Sequence, residues 1–144
     1  MKSRTYGDIQ FVVPDGYSDA SRIMFIRKNN TCNIQLARYS DEGRNFSEFQ
    51  SNYHNRVAAE LSSFDPKVLR SAALSSDPLK GWITVYSMVI SPDTPTQVQA
   101  HICTVHGLDV VVVIWTGEAS EYRREETQLL DAAAGLKLVG ANVE

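Results

Sequence analysis

The chain has 144 residues and a mass of 16.0 kDa, the size of one domain spanning 1–144 that buries about two thirds of its unfolded surface. Hydrophobic residues make up 43% and charged residues 22%, the balance of a soluble globule. A net charge of −3 and cations scattered along the chain, with Arg123-Arg124 followed at once by Glu125-Glu126, exclude the basic stripe that a nucleic-acid partner requires.

The opening Met1-Lys2-Ser3-Arg4-Thr5-Tyr6-Gly7-Asp8 has no apolar core of a secretory leader, and no stretch approaches the length of a membrane span. The expected location is therefore the cytoplasm. Ile9–Val13 reads as a first strand, stopped by the turn signal Pro14-Asp15-Gly16. A hairpin follows: Arg22-Ile23-Met24-Phe25-Ile26-Arg27 turns at Asn29-Asn30 into Cys32-Asn33-Ile34-Gln35-Leu36-Ala37. Asn tolerates positive φ, which a two-residue turn needs. That register sets Phe25 opposite Ile34 and Ile23 opposite Leu36, with Ile26 facing Asn33 and Met24 facing Gln35. Alternation makes the first face dry and the second a mixture of apolar carbons and amides.

Ser40-Asp41-Glu42-Gly43-Arg44 is a polar loop. Beyond it Phe46, Phe49, Tyr53, Val57, Leu61 and Phe64 recur every three or four residues, the apolar stripe of a long helix. Asn45 or Ser47 caps it, each at capping-box spacing from an acid or amide, and Pro66 ends it. Glu48, Asn52, Asn55, Arg56 and Glu60 form its solvated side, with His54 and Ala58 on the flank between.

The second half is strand-rich. Strands are expected over 68–75, over 81–90, and over 97–103, where alternation places Gln97, Gln99 and His101 on one face. Gly107 turns the chain into 109–115, whose run Val110-Val111-Val112-Val113-Ile114-Trp115 reads as a central strand covered on both faces. Ser120 caps a closing helix with Tyr122, Leu129, Leu130 and Ala133 inward and Gly135 as its C-cap. The fold class is α+β: a mostly antiparallel sheet with a long central helix and a C-terminal helix.

The residues supply little catalytic apparatus. His101, Cys103 and His106 lack a visible third and fourth partner for metal ligation, and a partly buried strand with a turn histidine explains them. There is no nucleophile elbow, and the glycines are isolated rather than gathered in a phosphate loop. Glu125-Glu126 sits on a polar helix face and Asp41-Glu42 in a loop. Cys32 and Cys103 read as buried reduced thiols, with a disulfide as the alternative. No catalytic residue, metal or cofactor is assigned, and a non-enzymatic protein is expected. A Cys103 nucleophile paired with His101 or His106 is the competing enzymatic hypothesis. What remains is the mixed face of Met24, Ile26, Asn33, Gln35, Gln97 and Gln99, either a binding groove or an ordinary half-solvated sheet face.

The order Pro14-Asp15-Gly16-Tyr17-Ser18-Asp19, hairpin, Phe46-Ser47-Glu48-Phe49-Gln50 opening a helix to Leu61, then the Trp82 strand, the Gln97/Gln99 strand and the Val110 strand before a terminal helix resembles the DcrB-like, PsbP-like α/β/α sandwich over nearly the whole chain. Among its members the chain is most similar to the Eag chaperones of type VI secretion systems. The resemblance implies a cytoplasmic homodimer, a chaperone or adaptor that shields the hydrophobic N-terminal helices of a toxin effector and promotes loading onto the VgrG spike. It implies Met24 and Ile26 as an apolar floor, Asn33, Gln35, Gln97 and Gln99 as amide partners, and His54 and Ala58 as a helix-borne rim. The alternative is a non-enzymatic regulatory protein-interaction module of the same fold.

Overall fold

Strand alternation divides the side chains into two layers, and each layer is covered by one helix. The computed structural model describes residues 2–6, 9–13, 17–21, 24–27, 32–74 and 80–138. In chain order the elements are β1 (Lys2–Tyr6), β2 (Ile9–Val13), β3 (Tyr17–Ser21), β4 (Met24–Arg27), β5 (Cys32–Tyr39), α1 (Phe46–Glu60), β6 (Lys67–Leu74), β7 (Lys80–Met88), β8 (Gln97–His106), β9 (Asp109–Glu118), α2 (Ala119–Ala134) and β10 (Lys137–Leu138). Seven strands form one sheet in the order β3-β4-β5-β9-β8-β7-β6, and β1-β2-β10 form a second. Every pairing among the described strands is antiparallel. The α+β expectation holds.

One layer is dry. Ile34, Leu36, Val113, Trp115, Ile102 and Val85 pack against Tyr122, Leu129 and Ala133 of α2, with Phe11 of β2 in the same cluster. In the other layer Val110, Val112, Cys103, Tyr86 and Met88 pack against Phe49, Tyr53, Val57 and Leu61 of α1, and Tyr39, Phe46 and Phe64 flank them. Val110–Val113 are fully buried because both helices reach the central strand β9.

The expected helix stripe is the buried one, and Asn45 caps it by accepting a hydrogen bond from the Glu48 N–H at 3.3 Å. Its end differs from expectation. The helix closes at Glu60, and a 3-10 turn over Ser62–Phe64 leads to Asp65 at φ 47, so the chain has left the helix before Pro66. At the other helix Ser120 lies within the first turn and does not cap, since β9 runs directly into Ala119. Gly135 is the C-cap but keeps right-handed geometry, φ −85.

β9 extends past Trp115 to Glu118 because Thr116, Gly117 and Glu118 continue the ladder to β8. Gly117 is required there: a Cβ would stand 2.6 Å from Cys32 Cβ and 2.7 Å from the Trp115 ring. Cys32 belongs to the α2 layer and Cys103 to the α1 layer. The sheet separates them, both are buried thiols outside any disulfide, and the disulfide alternative falls. Glu125 corrects another expectation, being 5% exposed rather than on a polar face. It lies in the inward row with Tyr122, Leu129 and Ala132, and the Cys32 thiol stands 4.0 Å from its Oε2.

Candidate functional site

The hairpin register is as read from sequence: Met24 pairs with Gln35, Phe25 with Ile34 and Ile26 with Asn33. Ile23 and the Asn29-Asn30 turn lie outside the described residues. From β4 the ladder continues across the sheet. Asn33 pairs with Thr116, Thr116 with Gln99, and Gln99 with Tyr86. One step along, Gln35 pairs with Ile114 and Ile114 with His101. Met24, Ile26, Asn33, Gln35, Gln97 and Gln99 therefore occupy positions of one sheet face, the face that carries α1.

α1 crosses this face obliquely, from Tyr39 on β5 towards Met88 on β7. Asn33, Gln35, Ala37, Ile114, Thr116, Gln97 and Gln99 stay half-buried beside it, forming a strip of amide, hydroxyl and aliphatic groups. The Oδ1 of Asn33 is buried and has no hydrogen-bond partner among the described residues. A buried acceptor left unpaired costs about 1–3 kcal/mol, which makes it a demand for a donor that no described residue meets. Gln97 Nε2 reaches the Pro95 carbonyl only at 3.5 Å.

A network that the sequence did not announce anchors the strip to the helix. The Tyr53 hydroxyl lies 2.7 Å from His101 Nδ1, His101 Nε2 lies 2.7 Å from Gln99 Oε1, and Gln99 Nε2 donates to Thr116 Oγ1 at 3.4 Å. Burial is the main reason the His101 imidazole is pushed down to about 4, helped by the fields of Arg56 and His54. Burial likewise holds the Tyr53 phenol far above its ordinary value. Arg56 lies over the rings of Tyr39 and Tyr53, at 5.5 and 4.9 Å from their centroids, and donates to the Tyr39 hydroxyl at 2.8 Å. The signal for His101 was present in its alternation with Gln97 and Gln99. Nothing local foretold that Tyr53 would meet it.

His54 and Ala58 are half-buried on one flank of α1, but that flank stands over β7. His54 Nδ1 lies 2.6 Å from the Tyr86 hydroxyl, with the rings stacked at 5.6 Å. The opposite flank, with Arg56, faces β5. The helix thus stands between His54 and the amides of β5, and His54 has an internal partner.

Geometry removes the footing of a Cys103 nucleophile. The thiol is 1% exposed and burial pushes it up to about 12, far from a thiolate. His106 belongs to the α2 layer with Thr104, which it contacts at 2.8 Å, and His101 is engaged by Tyr53 and Gln99. Among the described residues no three His, Cys, Asp or Glu groups converge on a metal position, and no helix is long and apolar enough to cross a membrane.

This architecture has solved counterparts. Cyanobacterial PsbP (CyanoP) from Synechocystis superposes with a TM-score of 0.66 at 9% identity, over 95% of this chain and 90% of that one. The fold is PsbP-like. A Pseudomonas aeruginosa protein of unknown function, PA94, shares it with a TM-score of 0.63 at 12% identity, over 98% of this chain and 99% of its own. The Saccharomyces cerevisiae Ran-binding protein Mog1p does so at 0.62 and 13%, over 96% of each chain. At such identities the likeness to PsbP-like proteins is one of fold. No protein-family model and no curated protein sequence matches the chain.

Proposed function

We propose that this chain is a cytoplasmic chaperone or adaptor of the Eag type, acting as a homodimer that shelters the hydrophobic N-terminal helices of a type VI secretion effector and brings it to the VgrG spike. The observation that carries the proposal is the strip beside α1. Five groups on it, Asn33, Gln35, Thr116, Gln97 and Gln99, are polar but uncharged and only half-buried, and Ile114 and Ala37 lie among them. A helix meant for a membrane aggregates in water unless its apolar surface is covered. The same helix carries small polar residues that need partners once dry. Aliphatic carbons with amides meet both needs, whereas a charged face meets neither. Met24 and Ile26, opposite Gln35 and Asn33 in the ladder, extend the strip onto β4.

Co-expression with an effector's hydrophobic N-terminal region yields a soluble complex if the proposal holds. Replacing Met24→Asp together with Ile26→Asp then abolishes capture while the chain stays folded by circular dichroism. Unchanged capture by the double variant overturns the placement of the groove.

A regulatory protein-interaction module is the second reading, and β6 favours it. This eight-residue edge strand exposes Val68 and Leu69 by 52% and 58%, and the PsbP-like fold also serves a protein named for binding Ran. Capture of a folded partner that is lost on Leu69→Asp and retained in the Met24/Ile26 double variant decides for that reading.

A further inference from the structure

We propose that Tyr53 and His101 act as positioning residues that fix the amide of Gln99 so that it offers an N–H donor to whatever lies on the strip, which selects apolar helices bearing a hydroxyl. The inference rests on the strip being a helix cradle, and deepens that reading by stating what the helix must carry.

A single proton sets the orientation of the whole network. The Tyr53 hydroxyl is buried and stays protonated, because burial raises its phenol. A buried donor must spend its proton on an acceptor, and the contact it makes is with His101 Nδ1 at 2.7 Å. Nδ1 therefore holds the lone pair. The imidazole is neutral, being only 5% exposed and pushed down to about 4, so its single proton sits on Nε2. From there it is donated to Gln99 Oε1 at 2.7 Å. In the opposite tautomer Nδ1–H would donate to the Tyr53 oxygen, and the buried phenol proton would lose the acceptor it has here. With Oε1 taken, the Gln99 NH2 is turned to the Thr116 side, where one N–H makes the long 3.4 Å contact. No contact among the described residues uses the second N–H, and that is the one offered.

The complementary ligand follows from helix chemistry. A helix in an apolar setting pairs its own backbone groups, and a Ser or Thr on it donates its proton to the carbonyl four residues earlier. Its oxygen lone pairs are then without a donor. An N–H presented by Gln99 supplies one, and a carboxamide oxygen in that place would not. A net hydrogen bond of this kind corresponds to a preference of about threefold to tenfold.

The test uses the full chain and two probes: a Leu/Ala helix of about 20 residues with one central serine, and the same helix with alanine there, each fused to a soluble carrier. The wild type prefers the serine helix by about threefold to tenfold. Gln99→Leu, which removes the donor, brings the ratio to one. Tyr53→Phe brings the ratio towards one, and imidazole nitrogen NMR shows His101 passing from the Nε2–H form to a mixture of tautomers. A loss of stability alone would not move either readout. A ratio that persists in both variants overturns the proposal, as does wild-type His101 protonated on Nδ1. If neither helix binds while the Nε2–H form is intact, the cradle reading fails and takes the selectivity with it, while the positioning of Gln99 stands on the spectrum.

Discussion

The neutral state of His101 has a measurable thermodynamic consequence. Its imidazole is pushed from 6.5 to about 4 in the folded chain, and an unfolded chain returns it to the ordinary value. Between those limits the unfolded state binds more protons, so acid favours unfolding. The contribution is fully present above pH ~6.5 and declines as pH falls through the folded value, below which the loss levels off at about 3 kcal/mol. At pH 5 the loss is already about 2 kcal/mol by the same relation. Solvent screening subtracts little, because the residue is 5% exposed and is held by Tyr53, Gln99 and the edge of Tyr86. Burial also lowers His106, and this acts in the same direction, so comparison with His101→Gln isolates the one group. Urea unfolding of both proteins at pH 8 and pH 5 is the assay. The wild type loses about 2 kcal/mol more than the variant over that interval, even though the variant starts lower. Parallel losses would refute the buried neutral imidazole. Should the variant fail to fold, NMR titration of wild-type His101 tests the same point, and a midpoint near 6.5 refutes it.

Gly81→Ala places a Cβ 2.2 Å from the Cys103 carbonyl oxygen, which is backbone and cannot swing aside; the β7–β8 ladder must shift, at a cost of about 1–3 kcal/mol in chemical denaturation. Both thiols, at 4% and 1% exposure for Cys32 and Cys103, resist alkylation in the folded chain and react in urea, so rapid native labelling of Cys103 contradicts its placement. Asp109 accepts from the Asp41 N–H at 2.8 Å and from the Arg38 guanidinium, and these contacts hold its carboxyl below the usual range. Asp109→Asn therefore loses about 1 kcal/mol at neutral pH, and the difference from wild type shrinks as pH falls into the carboxylate range.

Periodicity carried the fold further than composition did. The α1 stripe, the β4–β5 register and the shared face of Gln97, Gln99 and His101 were all legible, because each is a local repeat. β1 and β3 were not. Tyr17-Ser18-Asp19-Ala20-Ser21 is short, polar and irregular in register between Asp19 and Ser21, and it is a strand because β4 offers it an edge. Glu125 misled for a different reason. Its charge and its neighbour Glu126 pointed to solvent, yet its spacing from Tyr122 and Leu129 is that of the buried row. Among the candidate site residues the strand amides were assigned to one sheet face by alternation, and the register puts them on it. His54 was placed on the correct helix, but which flank of α1 faces β5 depends on the crossing direction, and that is set by distant contacts such as Arg56 on Tyr39 and Phe64 near Val89.

Sheet width explains why a strip is left beside α1 at all. Seven strands spaced about 4.8 Å apart make a surface nearly 30 Å across, and a helix with its side chains covers only about 10 Å of it. On the other layer α2 is joined by Phe11 of the second sheet, so aliphatic side chains there stay dry. On the α1 layer no comparable element is described, and the chemistry of the uncovered positions changes accordingly. Where β9 lies under α1 it presents Val110 and Val112, at the margin of that cluster the half-buried Ile114, and next along the same face Thr116, paired with Asn33 of β5 and Gln99 of β8. Valine throughout would invite aggregation, and lysine or glutamate would keep the face wet and repel an apolar partner. An amide is neutral, hydrated at modest cost, and able to satisfy a polar group when the water leaves. A surface of that kind tolerates both the empty and the occupied state, which the proposed shelter for an apolar helix requires.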